Sequence, residues 1–225
     1  MLPILPPLAI CIWKRALQFN SRLFLLDNPL SLCAGGLLLW AATVLFFHPP
    51  PRIYVFAHEL THALFIKLFR GTVKKISVKQ NTGFVISDRT NFLITLAPYI
   101  FPFYAFVWSL LLLPLLFLTA WPHTHTIFWT GLGACLGYHW TMTGRLMLTA
   151  QSDFSTEGYA FSLTLTAAAN LFLLLSLLYL LPSFQGSGQR FSILGHAIWD
   201  SYAATLCFIR DLWFNIQHLF ATGVK

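Results

Sequence analysis

Long apolar runs, separated by short polar stretches, follow one another along most of this chain. The clear runs occupy residues 30–48, 53–69, 91–120, 126–149 and 159–181. A helix rises 1.5 Å per residue, so about 20 apolar residues cross the hydrocarbon core of a bilayer. Pro29 favours a helix start, and the prolines at 49–51 predict a stop after the first run. The pattern predicts an all-α polytopic membrane protein with about five transmembrane helices.

The two ends of the chain differ from these five runs. Residues 1–29 hold apolar patches around basic residues, and their early prolines argue against a spanning helix. Residues 192–221 repeat apolar side chains at helical spacing with polar ones opposite, which is typical of an amphipathic surface helix. We therefore expect an interfacial segment over 1–29, a transmembrane core over 30–182 and an interfacial amphipathic C-terminal helix within 183–225.

A polar insert between the second and third runs predicts a small β-hairpin over 71–88. Apolar and polar residues alternate from Val73 to Val78, and a second β-prone stretch follows the turn-forming sequence Asn81-Thr82-Gly83. A plain basic loop is the alternative, and the alternation favours strands.

Composition and charge agree with a membrane location. Hydrophobic residues make up 57% of the chain and charged residues only 9%, against about 25% charged in globular proteins. The net charge is +7, and the basic residues lie between apolar runs, which fits the positive-inside rule better than nucleic-acid binding. With five spans, the basic N-terminal segment, the hairpin and the turn from Arg145 fall on one side. We expect a multi-pass cell-membrane protein whose basic loops and hairpin are cytoplasmic.

The second run contains the sequence His58-Glu59-Leu60-Thr61-His62. Histidines four residues apart project from one face of a helix and can share one Zn²⁺ ion. Glu59 is then placed to act as a general base, its role in HExxH hydrolases. Such motifs also arise by chance, but ionisable groups are costly inside a membrane, at roughly 2.5–3.5 kcal/mol for a charge at the bilayer centre. The setting therefore favours a zinc site.

A catalytic zinc ion needs a third protein ligand, for which His139 and Asp153 compete. His62 and His139 lie at similar distances before basic residues that mark the membrane surface, so depth favours His139. Asp153 lies about 12 Å beyond Arg145 by helical rise, unless the loop folds back. A carboxylate would offset the charge of the ion better. The residue that is not a ligand would act in the outer shell or as a gate.

The HExxH helix, the following hairpin and the sequence from Asn91 to Leu96-Ala97-Pro98-Tyr99 together resemble site-2-protease-like intramembrane metalloproteases, the M50 peptidases. The resemblance covers roughly residues 53–180. It implies zinc held by His58 and His62, Glu59 as base, and hydrolysis of membrane-spanning or membrane-proximal protein substrates. It also implies an aspartate as third ligand, usually in an LDG-type motif, which this chain lacks.

Two other functions use the same residues. The chain could be a catalytically inactive metal-binding scaffold that holds membrane helices without cutting them. It could also be a metal-ion transporter, but a transporter needs acidic or histidine groups stepping across the bilayer. The half of the spans away from the basic face has almost none, which favours hydrolysis. In each case we expect the lipid bilayer and membrane proteins as partners, and no nucleic acid.

Overall fold

A computed structural model of the chain describes residues 5–17, 28–47, 51–118, 123–149 and 151–180, together with the isolated positions 196, 199, 200, 203 and 210. The described chain is mostly helical, with one small sheet. Its elements are α1 (Leu5–Leu17), α2 (Pro29–Phe46), α3 (Pro51–Leu68), β1 (Val73–Val78), β2 (Gly83–Ser87), α4 (Phe92–Ile100), α5 (Phe103–Leu118), α6 (Thr124–Met147), α7 (Ser152–Thr156) and α8 (Tyr159–Leu180). The predicted amphipathic helix over 192–221 lies almost entirely outside the described residues.

Contacts divide the chain into two compact units. One comprises residues 21–166 and holds α2 to α7 with the start of α8, and the other comprises residues 1–20 and 167–225. In the second unit, Leu8 of α1 packs with Ala168 and Leu175 of α8. α1 has 13 described residues, and it carries Pro6 and Pro7 in its first turn, where proline is tolerated.

Two described helices, α2 and α8, are long and apolar enough to cross a membrane. α4 and α5 make a third candidate if they count as one span, although they meet at a bend of 68°. The described residues thus give two or three candidate spans, and the expected number of five is not confirmed. α3 does not qualify because Arg52, Glu59 and Lys67 place three charges within its eighteen residues.

Glycine allows α2 and α6 to pack backbone against backbone. A Cβ atom at Gly36 would overlap the Thr130 carbonyl oxygen, and one at Gly133 would overlap the Cys33 carbonyl oxygen. The neighbouring Gly35 has no atom within 4 Å of such a Cβ. Small residues therefore set the separation of these two helices, as is common in membrane helix pairs.

The predicted hairpin is present. β1 and β2 pair antiparallel, with Ile76 opposite Val85 and an irregularity between Val73 and Lys75. At the base, the Asp88 carboxylate accepts a hydrogen bond of 2.6 Å from the Thr72 N–H, and this bond lowers the pKa of Asp88. Gly83 is the first residue of β2 rather than a turn residue. The hairpin packs on α3.

The predicted third run, 91–120, is broken in two. Asn91 caps the start of α4, where its side chain accepts from the Ile94 N–H at 2.9 Å, and the helix ends before Phe101 and Pro102. α5 then runs from Phe103. α7 packs against α4, where Phe154 is completely buried with Leu96 and Tyr99. This contact brings the polar segment after α6 back to α4.

Candidate metal centre

α3 brings its two histidines together on the side that faces α4 and α7. The Nε2 atoms of His58 and His62 lie 3.2 Å apart. The two residues are one helical turn apart, so their side chains share a face. The sequence-predicted pair is therefore assembled, with both ring edges directed to one point.

Asp153 joins this pair. Its Oδ2 atom lies 3.4 Å from His58 Nε2 and 3.7 Å from His62 Nε2. For a tetrahedral zinc ion with bonds of about 2.0–2.2 Å, neighbouring ligand atoms lie about 3.3–3.6 Å apart. The three edges of the triangle fall close to that range. Within the described part of the chain, these residues form a group that could hold a metal ion.

His139 is not a member of that group. It is buried in α6 and lines a cavity of about 20 Å³ together with His58 and Tyr138, a space that suits about one water molecule. The depth comparison that favoured His139 continued the helical rise beyond α6. In fact α6 ends at Met147 and α7 returns to α4, where the Tyr99 hydroxyl donates to Asp153 Oδ2 at 2.8 Å.

Each candidate ligand has a further hydrogen-bond partner. His62 Nδ1 lies 2.9 Å from the Ile94 carbonyl oxygen. Because a carbonyl only accepts, this Nδ1 carries the hydrogen and the Nε2 lone pair faces the other ligands. The Tyr54 hydroxyl lies 3.0 Å from His58 Nδ1. Such partners orient metal-ligating histidines and carboxylates.

Sequence reasoning did not identify these partners. Tyr54 precedes His58 by four residues, a spacing that could have indicated a contact on one helix face. Tyr99 belongs to the sequence that carries the family resemblance, but no local pattern relates it to Asp153, which is 54 positions away.

Asp153 remains charged despite its position. Burial would raise the pKa of its carboxyl group, but the adjacent His58 and His62 imidazoles, together with the hydrogen bond from Tyr99, outweigh this effect and hold that pKa well below its usual range. The site therefore presents an anion beside two imidazole nitrogens, a donor set that suits a divalent cation.

Glu59 lies beside the triangle and under the hairpin. It is only 6% exposed, and a Cβ atom at Gly83 would lie 2.5 Å from its Cγ and 2.6 Å from its Oε1. The absence of a side chain at Gly83 thus makes room for the glutamate. The start of β2 therefore keeps Glu59 at the site.

An open cavity of about 830 Å³ leads to these residues. It is lined by His58, Glu59, His62 and Asp153 on one side and by residues 81–87 on another. β2 rather than β1 contributes to this lining, so the edge of β2 that is not paired in the two-stranded sheet borders the cavity. The cavity is large enough to take a peptide segment beside an extended strand.

Comparisons with protein-family models, curated proteins and solved structures find no match to this chain.

Proposed function

We propose that this chain is an intramembrane zinc metalloprotease that hydrolyses peptide bonds of membrane-spanning or membrane-proximal proteins. The observation that carries the proposal is the triangle of His58 Nε2, His62 Nε2 and Asp153 Oδ2. Glu59 lies next to this triangle, on the helix that carries the two histidines. Three protein ligands and a neighbouring carboxylate are the parts that a hydrolytic zinc site needs.

The roles of the residues follow from their positions. A zinc ion held by His58, His62 and Asp153 would polarise the scissile carbonyl and lower the pKa of a water molecule. Glu59 would accept a proton from the attacking water. It would then return this proton to the leaving nitrogen as the C–N bond breaks. The burial of Glu59 under Gly83 supports this role because it keeps the carboxylate at a fixed place.

The edge of β2 that pairs with no other described strand supports a way to hold the substrate. A transmembrane helix hides its backbone amides in its own hydrogen bonds, so it must unwind before it is cut. An extended segment can add to a free strand edge through main-chain hydrogen bonds. β2 borders the cavity next to the candidate ligands, so a segment paired with it would pass the metal centre.

The site is proposed to lie within the membrane, in a chain with five spans: α2, α3, the bent pair of α4 and α5, α6, and α8. α3 exposes large apolar side chains at Ile53, Phe56, Leu64 and Leu68, which suits contact with lipid. The basic residues Lys67, Arg70 and Arg145 stand at or just after the ends of α3 and α6, and the hairpin adds three lysines. By the positive-inside rule these ends and the hairpin are cytoplasmic.

Glu59→Gln tests the proposal directly. The purified chain is loaded with Zn²⁺ and incubated with detergent-solubilised membrane proteins, and new N-termini are identified by mass spectrometry. Wild type is expected to generate new N-termini. Glu59→Gln should lower their formation by at least about 100-fold, the low end of general acid–base contributions, and still bind zinc.

Glu157→Gln is the matched control, because Glu157 contacts Thr95 and is not part of the triangle. Zinc binding by wild type without any new N-termini would instead support the metal-binding scaffold. Full proteolysis by Glu59→Gln would reject the mechanism.

A further inference from the structure

α4 positions two of the three candidate ligands. The Ile94 carbonyl accepts a hydrogen bond from His62, and the Tyr99 hydroxyl donates one to Asp153. Both contacts come from a single helix of nine residues, in which Ile94 and Tyr99 are buried. A carbonyl inside an α-helix normally accepts from the N–H four residues later. It therefore needs an explanation that the Ile94 carbonyl is available to His62.

The residue four positions after Ile94 is Pro98, which lies inside α4. Proline has no backbone N–H, so the α-helical hydrogen bond to the Ile94 carbonyl cannot form. A buried carbonyl requires another donor, and His62 Nδ1 supplies it at 2.9 Å. We propose that Pro98 is a positioning residue of the metal centre, because its missing N–H reserves the Ile94 carbonyl for His62.

The hydrogen bond to Ile94 selects one form of the His62 ring. With the hydrogen on Nδ1, the lone pair of Nε2 faces His58 and Asp153, which is the form that can bind a metal ion. An N–H at position 98 would compete for the Ile94 carbonyl and release His62 to adopt the other tautomer. The consequence for metal binding rests on the metal centre proposed above, whereas the choice of tautomer does not.

A purely structural role for this proline is the alternative. Proline can bend a helix, but the break between α4 and α5 falls at Phe101 and Pro102, after Pro98. Pro114 lies inside α5 in the same way that Pro98 lies inside α4. It is absent from the lining of the cavity at the metal centre. Pro114→Ala is therefore the matched control for restoring an N–H within a helix.

The first measurement is the Zn²⁺ affinity of the full-length chain in detergent, by competition with a zinc chelator of known affinity. Pro98→Ala is expected to weaken binding about tenfold, the low end of what loss of such an orienting contact costs. Pro114→Ala should stay within about twofold of wild type by the same reasoning. Unchanged affinity in Pro98→Ala, or an equal loss in both variants, overturns the proposal.

The second measurement needs no metal. ¹⁵N NMR of the histidine-labelled, metal-free chain reports which ring nitrogen of His62 carries the hydrogen, with His62→Gln providing the assignment. Wild type and Pro114→Ala should show the Nδ1–H form, and Pro98→Ala a shift toward Nε2–H. The same tautomer in all three overturns the proposal. If wild type binds no zinc, the proposed function fails, and this measurement still decides the role of Pro98.

If Pro98→Ala is not recovered in folded form, Pro98→Ser replaces it. Serine restores the N–H, and its hydroxyl can also bond to the carbonyl four residues earlier. Its effect on zinc affinity and on the His62 tautomer should be at least as large as that of alanine. Wild-type values for both quantities in Pro98→Ser overturn the proposal.

Discussion

Asp153 and His139 are the two candidates for the third zinc ligand, and substitution of each residue can distinguish them. Asp153 Oδ2 lies within 3.7 Å of both histidine Nε2 atoms, so Asp153→Ala removes a candidate ligand and the only negative charge of the triangle. We expect zinc affinity to fall by more than about 100-fold, beyond the range for outer-shell changes. His139→Ala should keep zinc at near wild-type affinity. Zinc content and chelator competition on the purified variants provide the check, and a larger loss in His139→Ala would contradict this assignment.

At the scale of single residues, what the sequence predicts depends on local spacing. His58, Glu59 and His62 follow from one helical turn, and the structure brings the two histidine rings together. Asp153 could only be proposed beside His139, because its place depends on a chain reversal after α6. The Ile94 carbonyl is a backbone group with no sequence signature of its own. Contacts between residues far apart in the chain leave no periodic pattern in the sequence, so they cannot be predicted in this way.

At the scale of elements, the hairpin packs against the candidate base Glu59, and Gly83 is the point of contact. An added methyl group at Gly83 would overlap the Glu59 side chain and displace its carboxylate. A misplacement of about 1 Å can cost about 100-fold in rate, so Gly83→Ala should lower cleavage by about 10- to 100-fold. Zinc affinity should not change, since the three atoms nearest to the added methyl group all belong to Glu59 and none to a candidate ligand. New N-termini, counted by mass spectrometry, give the rate.

Gly144→Ala is the control for this change, because a Cβ atom at Gly144 meets nothing within 4 Å. It should leave both cleavage and zinc binding unchanged. Wild-type cleavage by Gly83→Ala would mean that the hairpin moves away from Glu59 before the reaction, and that this contact has no part in placing the base.

The packing of α2 on α6 gives a second test at the scale of elements. An alanine at Gly133 would force its methyl group into the Cys33 carbonyl. Overpacking of this type costs typically about 1–3 kcal/mol, so Gly133→Ala should lower the thermal unfolding temperature in detergent. Gly35→Ala, one position from the tightly packed Gly36 but in open space, should be neutral or slightly stabilising. Equal unfolding temperatures for the two variants would contradict this packing.

Elements were predictable where a periodic pattern and a stop residue coincide. The hairpin over 71–88 and the helix start at Pro29 are confirmed by the strand pairing and by the start of α2. The single run over 91–120 is instead two helices, with a bend of 68° between them. The run is apolar on both sides of Phe101 and Pro102, so apolarity alone does not reveal the break there. α7 was missed because five residues are too few to show a helical period.

At the scale of the whole molecule, the sequence predicts a membrane protein more securely than it predicts the number of spans. α2 and α8 have the length and apolarity of spanning helices, and α2 exposes Leu38, Leu45 and Phe46 by more than 70%. α3 carries His58, Glu59 and His62 of the candidate site, and these residues lower the apolar character by which spans are recognised. A helix that carries several ionisable residues thus resembles a span less than its neighbours do.

The proposed topology makes a prediction about sidedness. Lys79 follows β1 in the hairpin, and His123 stands directly before α6, so one crossing by the bent pair of α4 and α5 separates them. In sealed, oriented vesicles, a membrane-impermeant maleimide should label Lys79→Cys only from the cytoplasmic side and His123→Cys only from the opposite side, above the background of the native cysteines in wild type. Labelling of both from one side would mean that α4 and α5 form a re-entrant loop. The hairpin and the start of α6 would then share a face, and the five-span arrangement would fail even if the zinc site stood.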